Sequence, residues 1–235
     1  MGWKRPAGPP RVWQTVNVIE ENGKARVFSI EEIPEGRYEQ ALELLVSCYI
    51  PDYPLWNACK TRDPSTVEYF RKRAKLILQQ GISIAVFEHL ADDGQTSILA
   101  GVNLLSYSDD DHANELKQVE RSGEVIRSRE TFFNGIYDKW DPKKLYKLNS
   151  FLADWGLGVK PAYRKMGLGL QMLEARGKIG REYDLPYTFT LFGASASQRI
   201  AAKANFFEIS SGDFTDLQWP ELDGQTWKLM GKRLF

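Results

Sequence analysis

Two hydrophobic rhythms alternate along most of this chain. Over 27–33 the run VFSIEEI alternates apolar and polar residues, as an edge strand does. Over 37–49, Ala41, Leu42, Leu44, Leu45 and Tyr49 recur at helical spacing, and Pro51 and Pro54 end the helix they predict. A second helix is expected over 64–80. Ser65 or Thr66 caps it, Val67, Phe70, Ala74 and Ile77 form its apolar stripe, and Gly81 stops it. The runs ISIAVFEHL and SILAGVNLLSY are β-rich and flank the polar turn Ala91-Asp92-Asp93-Gly94-Gln95, which predicts a hairpin at the middle of a sheet.

The opening MGWKRPAGPP supports neither rhythm, because Pro6, Pro9 and Pro10 beside Gly2 and Gly8 cannot hold a helix. Residues 1–26 are therefore expected to be a flexible tail and lead-in. Residues 107–147 are mixed, with the acidic run Asp109-Asp110-Asp111 and helical patterns around Ala113–Ser122 and Ser128–Lys139. Their aromatics Phe132, Phe133, Tyr137, Trp140 and Tyr146 suit either a helix face packed on the sheet or a lid over a substrate. From Leu148 the pattern tightens: strand LNSFLADWGLGV, turn PAYRKMGLG, helix LQMLEARGKIGREYD, strand YTFTLF, helix SASQRIAAKA, and a closing strand in TWKLMGKRL. No repeat, low-complexity tract or linker interrupts it, so 27–235 reads as one domain.

The charge balance narrows the function classes. The 235 residues carry 31 Lys+Arg and 31 Asp+Glu, a formal net charge of zero. A general nucleic-acid or anionic-membrane binder would need a basic excess. Hydrophobic residues at 43% suffice for a core, which excludes disorder over most of the chain. Cys48 and Cys59 are the only cysteines, and His89 and His112 the only histidines, too few for a disulfide scaffold or a His-rich metal site. No leader pattern and no apolar run of about 20 residues is present. The expectation is a cytoplasmic monomer with no metal, no nucleic-acid partner and no membrane partner.

The chemistry concentrates in Arg164-Lys165-Met166-Gly167-Leu168-Gly169, which follows an apolar strand and opens a helix. Glycines there let consecutive N–H groups point at one anion, and the helix N-terminus adds partial positive charge, so a pyrophosphate would sit well. The dinucleotide fingerprint fails at Met172, and no Gly-Lys-Ser/Thr follows for a Walker loop.

With the later strand, helix and Asn205-Phe206, this R-x-x-G-x-G turn resembles motif A of the GNAT superfamily of acyl-CoA-dependent N-acyltransferases. FSIEEI, Asp52-Tyr53-Pro54-Leu55, VKPAYRKMGLG, Ser197-Gln198-Arg199-Ile200 and KLMGKRL look more narrowly like the insect arylalkylamine N-acetyltransferases, the dopamine-acetylating group included. The match runs from about residue 27 to the end, with 107–147 alike only in length and helical character. The resemblance implies an α/β GNAT fold: a twisted, largely antiparallel sheet of about seven strands, helices on both faces, and a splayed strand pair at the CoA site.

It also implies roles. Leu157, Gly158 and Val159 would offer backbone to the pantetheine arm of acetyl-CoA, and Lys165, Met166, Gly167, Leu168, Gly169 and Leu170 would cradle the pyrophosphate, with Arg164 adding charge. Direct acyl transfer needs a deprotonated amine, although a lysine-like amine with pKa about 10.4 is mostly protonated at pH 7. The family's base is a Glu before the Pro-Leu, where this chain has Tyr53. Asp52 or Asp154 is then the candidate base, and Tyr53 and Trp56 candidate walls of the amine pocket. Of two family serines only Ser197 remains, the other position being Gly193. Ser197 could bond the CoA sulfur. The expected function is transfer of an acetyl or longer acyl group from CoA to a small primary amine. Alternatives are a peptide or protein N-acetyltransferase of the same fold, or a CoA-binding module with little catalysis.

Overall fold

The computed structural model describes residues 2–20, 23–90 and 97–235. Its strands are β1 (Val12–Ile19), β2 (Ala25–Glu32), β3 (Ile84–His89), β4 (Ser97–Ser108), β5 (Phe151–Val159), β6 (Tyr187–Phe192), β7 (Phe207–Asp213) and β8 (Thr226–Arg233). The α-helices are α1 (Tyr38–Leu44), α2 (Ile50–Asp52), α3 (Pro54–Arg62), α4 (Thr66–Leu78), α5 (Asp110–Lys117), α6 (Glu124–Lys139), α7 (Pro142–Tyr146), α8 (Leu168–Glu182) and α9 (Ser195–Lys203). One π turn, Leu45–Tyr49, widens the chain between α1 and α2.

The strands form a single eight-stranded sheet in the order β1-β2-β3-β4-β5-β6-β8-β7. All neighbours are antiparallel except β5 and β6. The expected hairpin is present, since β3 and β4 pair antiparallel near the middle of the sheet. Its connecting turn at Ala91–Gln95 lies outside the described residues.

The eighth strand exceeds the expected count of about seven, and it lies within residues 1–26, the expected tail and lead-in. Val12–Ile19 pairs with β2, with Val16 opposite Phe28, and Trp13, Val16 and Val18 turn a partly buried face inward. The period-2 spacing of half-buried Gln14, Val16 and Val18 is the signal that the neighbouring prolines masked. Even Trp3 is held, stacked on Tyr107 at 4.6 Å.

Alternation along β3 shows how the layers form. Ala85 and Phe87 join the core beneath α1, α3, α4 and α6, whereas Ile84 and Val86 join a second core beneath α8. A strand buried on both faces must be apolar throughout, which is why ISIAVFEHL shows so little polar interruption. Burying each Phe or Ile in these cores contributes roughly 1.5–3 kcal/mol. Among the described residues, no helix is long and apolar enough to cross a membrane.

Candidate active site

The centre of the sheet forks. β5 follows β4 from Phe151 to Val159, but its parallel pairing with β6 is confined to Leu152 opposite Thr188 and Ala153 opposite Phe189. Beyond that point the two strands part, leaving the edge of β5 toward Val159 without a β6 partner. A register shift in β4 at Leu104/Leu105 lets Trp155 bulge, and Gly156 takes φ +154° where a Cβ would lie 2.9 Å from the Tyr49 ring. A Cβ at Gly158 would likewise lie 3.2 Å from Tyr49 Cβ, so Gly158 packs against the π turn and, unlike Leu157 and Val159, does not line the cleft.

A buried guanidinium occupies the crotch of the fork. Arg176 of α8 is fully buried; its Nε and Nη2 donate to Asn103 Oδ1 at 3.2 and 2.9 Å, and its Nη1 donates to Thr188 and Thr190 hydroxyls at 3.2 and 3.0 Å. Nη2 also pairs with Asp154. Asp154 Oδ1 in turn accepts from Asn103 Nδ2 at 2.9 Å and from the Gly156 N–H at 2.8 Å. Charge and hydrogen bonds thus replace the missing β5–β6 ladder, since a buried guanidinium is tolerable only when paired and fully bonded. The sequence reading made Asp154 a candidate base; the geometry makes it the counter-ion of Arg176, with both oxygens occupied and a side chain only 3% exposed.

The turn before α8 has the conformation its sequence suggested. Lys165 and Gly167 adopt φ +65° and +76°, and no side chain caps the helix, so the first N–H groups of α8 face outward unpaired by a cap. Lys165, Gly167, Leu168, Gly169 and Leu170 line one continuous cavity of about 1130 Å³ together with Leu157 and Val159. Met166 does not; its side chain turns to the opposite face, where Arg26 Nη1 lies 3.8 Å from its sulfur. Arg164 is on the wall but already engaged, with Nη2 2.8 Å from Asp52 and Nε 3.1 Å from the Val159 carbonyl.

Asp52, Tyr53, Trp56 and Ser197 line the same cavity from α2, α3 and α9. Ser197 is not the N-cap of α9, a position held by Ala194; its hydroxyl donates back to the Ala194 carbonyl at 2.7 Å. Tyr53 is buried, and burial pushes its phenol far above the ordinary tyrosine range, so it stays protonated. A Cβ at Gly193 would sit 2.6 Å from the Tyr53 hydroxyl. The two positions at which this chain departs from the insect pattern therefore meet in space, with Tyr53 filling the volume a side chain at 193 would need.

The sequence reading missed the basic wall. Arg129 of α6 lies between two rings, its guanidinium carbon 4.0 Å from the centre of Trp56 and 4.4 Å from that of Phe133. It pairs with Glu130, which also accepts from Arg73 Nη1 at 3.0 Å. Burial works against the Glu130 carboxylate, but Arg129, Arg73 and Arg121 together outweigh it and hold its pKa below the usual range. All three arginines line the cavity. They are carried by α4, the segment after α5, and α6, and nothing in local periodicity says that these converge. Burial also raises Tyr137, on the same wall, to about 12.

Fork, glycine turn before α8 and common cleft belong to the GNAT N-acetyltransferase fold, which the chain shares with solved acetyltransferases. The mosquito protein named arylalkylamine N-acetyltransferase 7, from Aedes aegypti, superposes over 100% of both chains with a TM-score of 0.83 and 19% identity. Arylalkylamine N-acetyltransferase 2 of the same species gives 0.73 at 19% identity, over 88% of this chain and 99% of the other. Polyamine N-acetyltransferase of Drosophila melanogaster, which forms N-acetylagmatine, gives 0.69 at 16% identity, over 88% and 99%. No family model and no curated protein sequence matches the chain.

Proposed function

We propose that this protein is an acyl-CoA-dependent N-acyltransferase that moves an acetyl or longer acyl group to a small primary amine within a ternary complex. The observation that carries this reading is the fork: an unpaired β5 edge ending beside the uncapped N-terminus of α8, both on one cavity wall. The β5 edge would pair with the amide-bearing pantetheine arm as an added strand, and the N–H groups from Lys165 to Leu170 would hold the diphosphate. Likeness to the arylalkylamine and polyamine acetyltransferases supports the amine as acceptor.

In this reading the amine nitrogen attacks the thioester carbonyl, the amide C–N bond forms, and the C–S bond breaks. The nitrogen loses a proton through water to Asp52, the carboxylate at the cavity wall that remains 55% exposed. The departing thiolate takes up a proton from water in the open cleft, and the Ser197 hydroxyl, once it rotates away from the Ala194 carbonyl, donates a hydrogen bond to the sulfur. Asp154 acts by holding Arg176 and the fork. Aromatic residues on the cavity wall, among them Tyr49, Tyr53, Trp56, Phe133, Tyr137 and Trp155, suit an acceptor with an aryl or alkyl body.

Calorimetry with CoA and thiol release with acetyl-CoA and a panel of amines test this. Saturable CoA binding and turnover of at least one primary amine are expected, with Asp52→Asn lowering kcat while leaving CoA affinity in place. A folded protein that ignores CoA at millimolar concentration refutes the assignment. One that binds CoA but acylates no amine reduces the protein to a CoA-binding module.

A further inference from the structure

We infer that the acceptor of this enzyme carries an anionic group, a carboxylate or its equivalent, which Arg129 binds; the inference rests on the acyltransferase reading above and specifies its substrate. The Arg129 side chain is 11% exposed, on the cavity wall, and incompletely bonded. One of its nitrogens, Nη1, reaches Glu130; Nε is buried with no partner, and Nη2 makes no hydrogen bond among the described residues. A buried N–H without an acceptor is a standing cost, which a bound acceptor group would remove.

The surroundings agree in sign. Arg73, Arg121 and Arg129 all act on the single carboxylate of Glu130, and Arg121 has no carboxylate within ion-pair distance among the described residues. Its Nε is likewise buried and unpartnered. Of the other acids on the cavity wall, Asp154 is paired with Arg176, Asp52 with Arg164 and Asp141 with Lys144, and Asp138, which lines the outer part near Arg121, is exposed. The interior of the acceptor pocket is therefore positive. Such a field repels a polyamine and favours the neutral form of a bound amine, and it attracts a carboxylate that a planar guanidinium can hold through two N–H groups. Trp56 and Phe133 sandwich the guanidinium and fix its plane, so only its edge is offered to a ligand.

The test compares matched pairs with acetyl-CoA as donor: tyramine with tyrosine, tryptamine with tryptophan, and agmatine with arginine. The carboxylated member should show a kcat/KM higher by about tenfold or more. Arg129→Met should erase that preference without changing CoA affinity. A preference for the decarboxylated members, or a ratio unchanged in Arg129→Met, overturns the inference. Because Arg129 is buried and its variant could unfold, the wild-type protein supplies a second measurement. 3-(4-Hydroxyphenyl)propionate, a ring and carboxylate with no amine, should compete with the acceptor at least tenfold better than 4-ethylphenol; equal potency overturns the inference. A gain on replacing acetyl-CoA by succinyl-CoA with plain amines, lost in Arg129→Met, would put the anion on the donor and also overturn it. Should CoA bind but no amine or amino acid react, the acyltransferase reading fails separately. Binding of the propionate to CoA-loaded protein, tight relative to ethylphenol or not, then still decides the pocket's preference.

Discussion

Replacing Arg176 with Met would empty the crotch of the fork of its charge while keeping most of its volume. Asp154, 3% exposed, would be left among Asn103, Thr190 and the Gly156 N–H with no cation beside it. Removing one partner of a buried pair typically costs about 3–5 kcal/mol. Against the roughly 5–15 kcal/mol that holds a typical domain folded, this is a large fraction. For a chain of 235 residues it corresponds to a fall in Tm of about 6–20 °C, at about 2–4 °C per kcal/mol. Urea denaturation followed by tryptophan fluorescence measures it. The double variant Arg176→Met, Asp154→Leu, which removes both charges, should recover more than half of the loss. CoA affinity should fall in the single variant, because the unpaired stretch of β5 loses the group that spaces it from β6. A loss under about 1 kcal/mol for Arg176→Met, or costs that simply add in the double variant, would show that the guanidinium does not hold the fork.

Gly193→Ser should destabilise by about 1–3 kcal/mol, since the new Cβ would lie 2.6 Å from the packed Tyr53 ring, and should cost under about 0.5 kcal/mol once Tyr53 is Ala; a denaturation double-mutant cycle reads the coupling. Gly156→Ala meets both a φ of +154° and the Tyr49 ring at 2.9 Å, so CoA affinity by calorimetry should drop tenfold or more even in protein that melts normally. Glu130 has a depressed pKa in the folded state, so its contribution is complete above the unfolded carboxylate value of about 4.3 and is lost as pH falls through the lower native value. The acid limb of stability against pH should therefore be shallower in Glu130→Gln than in wild type. The comparison cancels His112, whose burial lowers its pKa and adds its own loss of stability on acidification.

Regular elements were legible wherever their information is local. The alternation in VFSIEEI and YTFTLF, the stripe Val67, Phe70, Ala74 and Ile77, and the glycines of RKMGLG encode conformation within a few residues, and β2, β6, α4 and the turn before α8 formed where these patterns stand. β1 escaped because three prolines and an exposed, half-buried pattern dilute its alternation, and only pairing with β2 makes it a strand. The π turn of Leu45–Tyr49 is a helix by period, and only contact with Gly156 and Gly158 displays why its Tyr49 must swing toward β5.

The candidate site divides along the same line. The open β5 edge was an expectation of the family resemblance, whereas the glycine turn before α8 and its suitability for an anion were readable from the residues. Side-chain functions were not, because the partner of a charge is set by packing between distant segments: Asp154 could not be known as a counter-ion before α8 laid Arg176 across the fork, nor Arg129 as a pocket cation before α6 closed over Trp56. Periodicity reports which face of an element is buried, and says nothing of which charges the folded chain brings there together.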